Sequence, residues 1–194
     1  MVPAKKIIPT VILVGFPHFG LSGQDSSTLS ITPSISYAQL GQSFSHSIGF
    51  GLTISHSLSS WVGVGIAADF APTKVEYDLV GGVGSVEADV TVVQARCELL
   101  IAQFQPAFDL YGSIGAGFLH TRTGETQVSL GALGKRTVPS RRETVGAYSL
   151  GFLMEHYLST RVGIRVEPKA VLFDENSSLQ SYVFITGGIC IGIL

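Results

Sequence analysis

Residues 142–170 read RETVGAYSLGFLMEHYLSTRVGIRVEPKA, two alternating segments joined by an almost loopless turn, and their alternation decides the fold. Thr144, Gly146, Tyr148, Leu150, Phe152, Met154 and His156 form one parity, mostly large and apolar. Val145, Ala147, Ser149, Gly151, Leu153 and Glu155 between them are mostly small or charged. A period of two predicts strand, not helix. The pattern resumes after Tyr157–Thr160, with Val162, Ile164 and Val166 opposed to Arg161, Gly163, Arg165 and Glu167. A soluble half-buried strand turns its charges to water. Here the charges share a face with glycine, alanine and serine, the side chains that fit the tight polar interior of a narrow barrel, while the greasy face suits a wall in contact with hydrocarbon. The competing expectation is a soluble, lipocalin-like barrel whose apolar parity lines a cavity for a small apolar ligand.

Composition bears on the choice. The chain has 194 residues, 45% hydrophobic and 13% charged, with a mean hydropathy of +0.40. Ordinary globular chains are about 25% charged. No apolar run reaches the roughly 18 residues that a spanning helix needs, so the hydrophobicity is dispersed, as it is when only alternate residues touch lipid. The 23 glycines would weaken an ordinary sheet, but in a small closed barrel they let walls approach and make room for large interior side chains. The two cysteines, Cys97 and Cys190, fall on opposite parities and read as unpaired.

Lys5 and Lys6, the apolar stretch Ile7–Phe19 broken by Pro9 and Pro17, and the small residues Gly20–Gly23 follow the order of a secretory signal. Residues 1–23 are therefore expected to be a signal peptide and 24–194 a single barrel domain, with the mature chain starting near Gln24.

Taken in order, alternation predicts eight strands. The first has Leu29, Ile31, Ile35 and Tyr37 on the greasy face. The second runs from Phe44 through Ile48, Phe50, Leu52 and Ile54 towards Leu58, with His46 and His56 as amphipathic interfacial side chains. The third sets Val62, Val64, Ile66, Ala68 and Phe70 against Gly63, Gly65, Ala67 and Asp69, then changes phase around Ala71–Pro72. Trp61 before it is placed for an interfacial belt. In the fourth, Ala88, Val90 and Val92 give way to Val93, Ala95, Cys97 and Leu99, which implies a bulge near Val92–Val93. The fifth has Phe108, Leu110, Ile114, Ala116 and Phe118 outward. Residues 122–142 read as the longest loop, 173–180 as a polar connection, and 181–194 as the last strand. The short connections fall at one end and the longer ones mostly at the other, as in bacterial single-chain barrels.

Asp69, Arg96, Glu98, Asp109, Glu155, Arg161, Arg165 and Glu167 fall on the interior parity. Away from bulk water each needs a partner. Arg161, Arg165, Glu98 and Glu155 are expected to form one network with Arg96 beside it and Glu167 in the same set, either as a plug of ion pairs or as a gate on a polar path. Sequence patterns for catalytic, cofactor and metal sites, such as CxxC, HExxH or a phosphate-binding loop, do not occur, so no catalytic residue, cofactor or metal is expected. Lys135, Arg136, Arg141 and Arg142 read as a solvated external loop rather than a nucleic-acid surface.

Phe108–Phe118, the Gly146–Arg165 hairpin with Glu155 and Tyr157 before its turn, and the glycine-rich last strand resemble the small eight-stranded outer-membrane β-barrel families, which include the transmembrane domain of OmpA-type proteins and the OmpW-like proteins. The likeness covers residues 29–194 as a pattern. Such families usually end in an aromatic residue, where this chain has Ile193-Leu194. The resemblance implies an all-β, eight-stranded antiparallel up-and-down transmembrane barrel, exported to the outer membrane of a Gram-negative bacterium. It implies a monomer that meets outer-membrane lipids, lipopolysaccharide and the barrel-assembly machinery, in a structural, adhesive or limited solute-passage role. Some barrels of this kind hydrolyse lipid A through a serine, a histidine and an acid, and Glu155, His156 and Ser159 are the residues here that such an alternative would use.

Overall fold

The computed structural model describes residues 29–41, 44–79, 82–104, 108–129, 135–175 and 178–193; the expected signal at 1–23 lies outside them. The strands are β1 (Leu29–Gln39), β2 (Ser47–Ser57), β3 (Val62–Leu79), β4 (Gly82–Phe104), β5 (Phe108–Thr123), β6 (Thr126–Ser129), β7 (Lys135–Val138), β8 (Arg141–Tyr157), β9 (Val162–Glu175) and β10 (Ser178–Ile193). Eight of them close a barrel in the order β1-β10-β9-β8-β5-β4-β3-β2, and β6 and β7 form a separate two-stranded sheet. Every barrel pairing is antiparallel. Residues 122–142, expected to be a loop, therefore hold a small hairpin whose strands are too short for alternation to register.

The greasy parity faces outward. Ile48 is 73% exposed, Phe50 62%, Ile66 61%, Phe152 56% and Leu52 45%, whereas Asp69, Arg96, Glu98, Arg165 and Glu167 are buried inside the barrel. The soluble, ligand-binding alternative required the reverse and is contradicted. At the end with the short turns, Trp61, Phe104 and Phe108 stand on the exterior, Phe104 and Phe108 being stacked with centroids 4.8 Å apart. Towards the other end stand Tyr37, Phe50, Phe118 and Tyr148. Tyr37 stacks on His46 at 5.7 Å. Aromatic side chains at both rims are what an apolar band between two interfaces favours.

Leu58–Trp61 and Leu158–Arg161 are near copies: in each, a leucine N–H donates to the carbonyl of the following valine, and the serine Oγ accepts the N–H groups of the last turn residue and of the first residue of the next strand. A side-chain acceptor stands in for the backbone partners that such a tight reversal leaves without a bond.

Two expected breaks in alternation do not occur where the sequence placed them. At Ala71–Pro72 there is no change of phase: Asp69, Ala71, Thr73 and Val75 all face in, and Pro72, Lys74 and Glu76 are exposed. Nor is there a bulge at Val92–Val93, because Val86, Val90, Val92, Gln94, Arg96 and Glu98 share the interior and the β3–β4 register runs unbroken past them. The register slips instead between Leu100 and Ala102, where β4 turns towards β5. What changes at Ala71–Pro72 is the solvent. Strands β1 and β2 have 11 residues, enough to cross a bilayer, while β3 has 18 and β4 has 23 and they extend roughly 20 Å farther. Over that extension the outward face carries Lys74, Glu76, Glu87 and Asp89, and the inward face becomes apolar. The same sheet is thus inside out in its lower part and built like a soluble protein above. Strand two also starts later than expected: Phe44 bridges Val75 and turns inward onto Tyr182, ring centroids 5.8 Å apart. The connection expected at 173–180 is mostly strand, since β9 runs to Glu175 and β10 starts at Ser178.

Prolines remain in the wall at a local loss of pairing. The β1–β10 ladder is interrupted between Ile31–Ile191 and Ser34–Gly188, beside Pro33, and the β8–β9 ladder between Gly151–Lys169 and Met154–Val166, beside Pro168. A ring nitrogen has no hydrogen to donate.

Candidate functional site

The interior is filled in two layers. In the one nearer the short turns, β4 presents Gln94, Arg96 and Glu98, β9 presents Arg165, Glu167 and Lys169, β3 presents Asp69, and β5 presents Ser113, all buried. Strict alternation brings each to the axis, because successive side chains of a strand point to opposite faces. Strands β4 and β9 are not neighbours in the wall, so their side chains meet across the lumen.

The Arg96 guanidinium grips Glu167 with both terminal nitrogens, Nη2 donating to Oε1 at 2.6 Å and Nη1 to Oε2 at 2.9 Å. Its Nε lies 3.1 Å from Glu98 Oε1, close enough for ion pairing though not aligned as a hydrogen bond. Arg165 donates to the same Glu98 oxygen, Ser113 Oγ donates to Glu167 at 2.9 Å, and Lys169 Nζ reaches Asp69 at 2.5 Å. Lys169 Nζ also sits 5.8 Å from the centre of the Phe184 ring. Bidentate arginine–carboxylate pairs fix geometry as well as charge. A network with its members matched avoids the large penalty of an isolated buried ion.

Of the expected set, Arg96, Glu98, Arg165 and Glu167 come together. Glu155 is buried and pairs across strands with Arg165 on one side and with Asp109 on the other, which puts two carboxylates side by side at the turn end. Arg161 does not join. It is exposed in the Leu158–Arg161 turn, where the chain reverses and strand parity no longer dictates direction. The interior cation that alternation did not reveal is Lys169. Its parity matches Arg165 and Glu167, and carrying the alternation one step past Glu167 would have placed it inward.

The second layer is apolar. Leu40, Val90, Val92, Val171 and Phe184 are completely buried, with Leu119, Phe173 and Tyr182 beside them. Phe173 and Tyr182 meet edge to face, with centroids 4.6 Å apart. A small, partly open cavity of about 40 Å³ at the hairpin end is lined by Phe44, Leu119, Phe173 and Tyr182 among others.

The serine–histidine–acid arrangement is not assembled. Glu155 faces the interior, His156 faces outward, and Ser159 Oγ is occupied as the acceptor that closes its turn. Cys97 and Cys190 are both free thiols, on opposite faces of the wall. Among the described residues no cluster of histidine, cysteine and carboxylate side chains could hold a metal ion.

No family model matches the chain, and no curated protein matches it. Solved structures do. The outer-membrane protein OprG from Pseudomonas aeruginosa is 12% identical with a TM-score of 0.53, over 88% of this chain and 98% of that one. A major outer membrane protein from Thermus thermophilus is 11% identical with a TM-score of 0.54, over 84% of this chain and 99% of that one. Ail, the attachment invasion locus protein of Yersinia pestis, is 16% identical with a TM-score of 0.48, over 86% and 97% of the two chains. The closed eight-stranded antiparallel sheet, greasy outside and charged within, has the fold of the small outer-membrane barrels.

Proposed function

We propose that the chain is a monomeric outer-membrane barrel of a Gram-negative envelope that acts as a closed scaffold and holds its β3–β4 and β6–β7 hairpins outside the cell. On this reading residues 1–23 direct export and are removed, residues 24–194 are inserted by the barrel-assembly machinery, and the wall is surrounded by lipid and lipopolysaccharide. Export in that direction puts the short turns in the periplasm, as is usual for such barrels. The observation that carries the closed-scaffold role is the filled axis: an ion-paired layer below and completely buried Val90, Val92, Val171 and Phe184 above. A solute path would have to cross both. Displaying a surface, in adhesion or in stabilising the membrane, needs only the rigid wall and the projecting strands.

Planar bilayers test this reading. Protein that migrates as a compact, heat-modifiable band in unboiled detergent samples is expected to insert without discrete conductance steps. Steady single-channel openings from such protein would replace the scaffold by a pore.

A further inference from the structure

On the outward face at the hairpin end, Arg122 of β5 stands directly opposite Arg142 of β8. Both are exposed, and neither forms an ion pair among the described residues, whereas the adjacent Arg141 is bound to Glu143 at 2.8 Å. Asp89 lies opposite Arg122 across the β4–β5 ladder without forming an ion pair to it, so the row of three remains net positive. Two like charges facing each other across a sheet are unfavourable unless something of opposite sign shares them.

Below that pair the wall changes character in steps. His120 and Thr144 come next, Nδ1 and Oγ1 2.8 Å apart. Phe118 then faces Gly146, and Ala116 faces Tyr148. Phe118 and Tyr148 are 63% and 68% exposed, and a methyl group built on Gly146 would touch nothing. The two rings therefore stand diagonally about a shallow slot floored by Gly146 and Ala116, which opens onto the apolar band below and leads up to the guanidinium pair.

We propose that Arg122 and Arg142 bind the phosphate of a membrane lipid in the leaflet at the hairpin end, with one acyl chain lying in the slot between Phe118 and Tyr148. The proposal rests on the membrane reading above. A free phosphate would satisfy the arginines and leave the slot idle; a neutral lipid would fill the slot and leave the arginines unmatched. A phosphorylated lipid does both. His120 and Thr144, already joined to each other, mark the level of the polar region between phosphate and chain.

The test uses the full mature barrel reconstituted in phosphatidylcholine bilayers with trace spin-labelled lipid, reading the motionally restricted fraction by electron paramagnetic resonance. Labelled phosphatidic acid is expected to be preferred over labelled phosphatidylcholine by about fivefold. The preference should vanish in Arg122→Gln/Arg142→Gln, whose altered side chains are exposed and leave the fold intact. Gly146→Leu, which fills the slot and keeps both arginines, should also lower it. Equal preference in wild type and the double variant would overturn the site, as would its abolition by millimolar inorganic phosphate, which would make the arginines a site for free anions. A restricted component with no headgroup preference likewise overturns the site while leaving the membrane reading intact. Absence of any restricted component overturns the membrane reading itself.

Discussion

Arg96→Met should lower the stability of the folded barrel by about 3–5 kcal/mol, one of the two largest effects expected of a single substitution in this chain. Methionine matches the volume but removes the fork that holds Glu167 and the nitrogen that faces Glu98, leaving buried carboxylates with less positive charge than before. The loss comes from stranding those acids more than from the intrinsic strength of the pair. Removing both partners should therefore do less harm than removing one. In Arg96→Met/Glu167→Leu the remaining groups still match, Arg165 with Glu98 and Lys169 with Asp69, and most of the lost stability should return. Urea unfolding in detergent micelles, followed by the shift between compact and unfolded bands, measures both variants. A double variant as unstable as the single one would show that Arg96 acts through something other than Glu167.

The second large effect is expected at Gly117. It lies on the interior face of β5 opposite Gln94, and a Cβ there would fall against the Val93 carbonyl oxygen and 2.7 Å from the Gln94 Cα. These are backbone atoms of the adjoining strand and cannot swing aside. Gly117→Val should cost about 3 kcal/mol or more by overpacking, enough to abolish the heat-modifiable band. Gly187→Ala is the control, because nothing lies within 4 Å of a methyl group at that outward position and the change should stay within about 0.5 kcal/mol. Should Gly117→Val fold as well as Gly187→Ala, the tight approach of β4 and β5 is not a constraint on the barrel.

Alternation made the membrane-embedded part of the fold readable, because there one face meets only hydrocarbon and the other only the packed axis. It misled where that contrast ends. Around Val90–Val92 and Ala71–Pro72 the interior turns from ionic to apolar while the exterior turns from apolar to charged, so hydrophobicity switches parity although no side chain changes face. A pattern scan registers that inversion as a slip of one residue. The register slip that does occur, at Leu100–Ala102, is hidden because Leu99, Leu100, Ile101 and Ala102 are all apolar and give alternation nothing to mark. The interior charges followed from parity wherever the strand was recognised. Arg161 was lost to the turn, and Lys169 lies one alternation step past Glu167, the last residue assigned to the interior, beyond Pro168, through which β9 continues. Parity gave the set that meets, Arg96, Glu98, Arg165 and Glu167, but not the Arg96–Glu167 pairing within it, since those two belong to strands that face each other only across a closed axis.

The central claim is that bulky residues meet lipid chains while charged ones are packed along the axis. Nitroxide side chains at Phe152 and Ile164, introduced singly in a background in which Cys97 and Cys190 are serine, test it by collision with molecular oxygen and with a water-soluble nickel chelate in reconstituted bilayers. The structure predicts strong relaxation by oxygen and weak relaxation by the chelate at both positions. Weak relaxation by both agents, as in a packed protein core, or strong relaxation by the chelate, would contradict it.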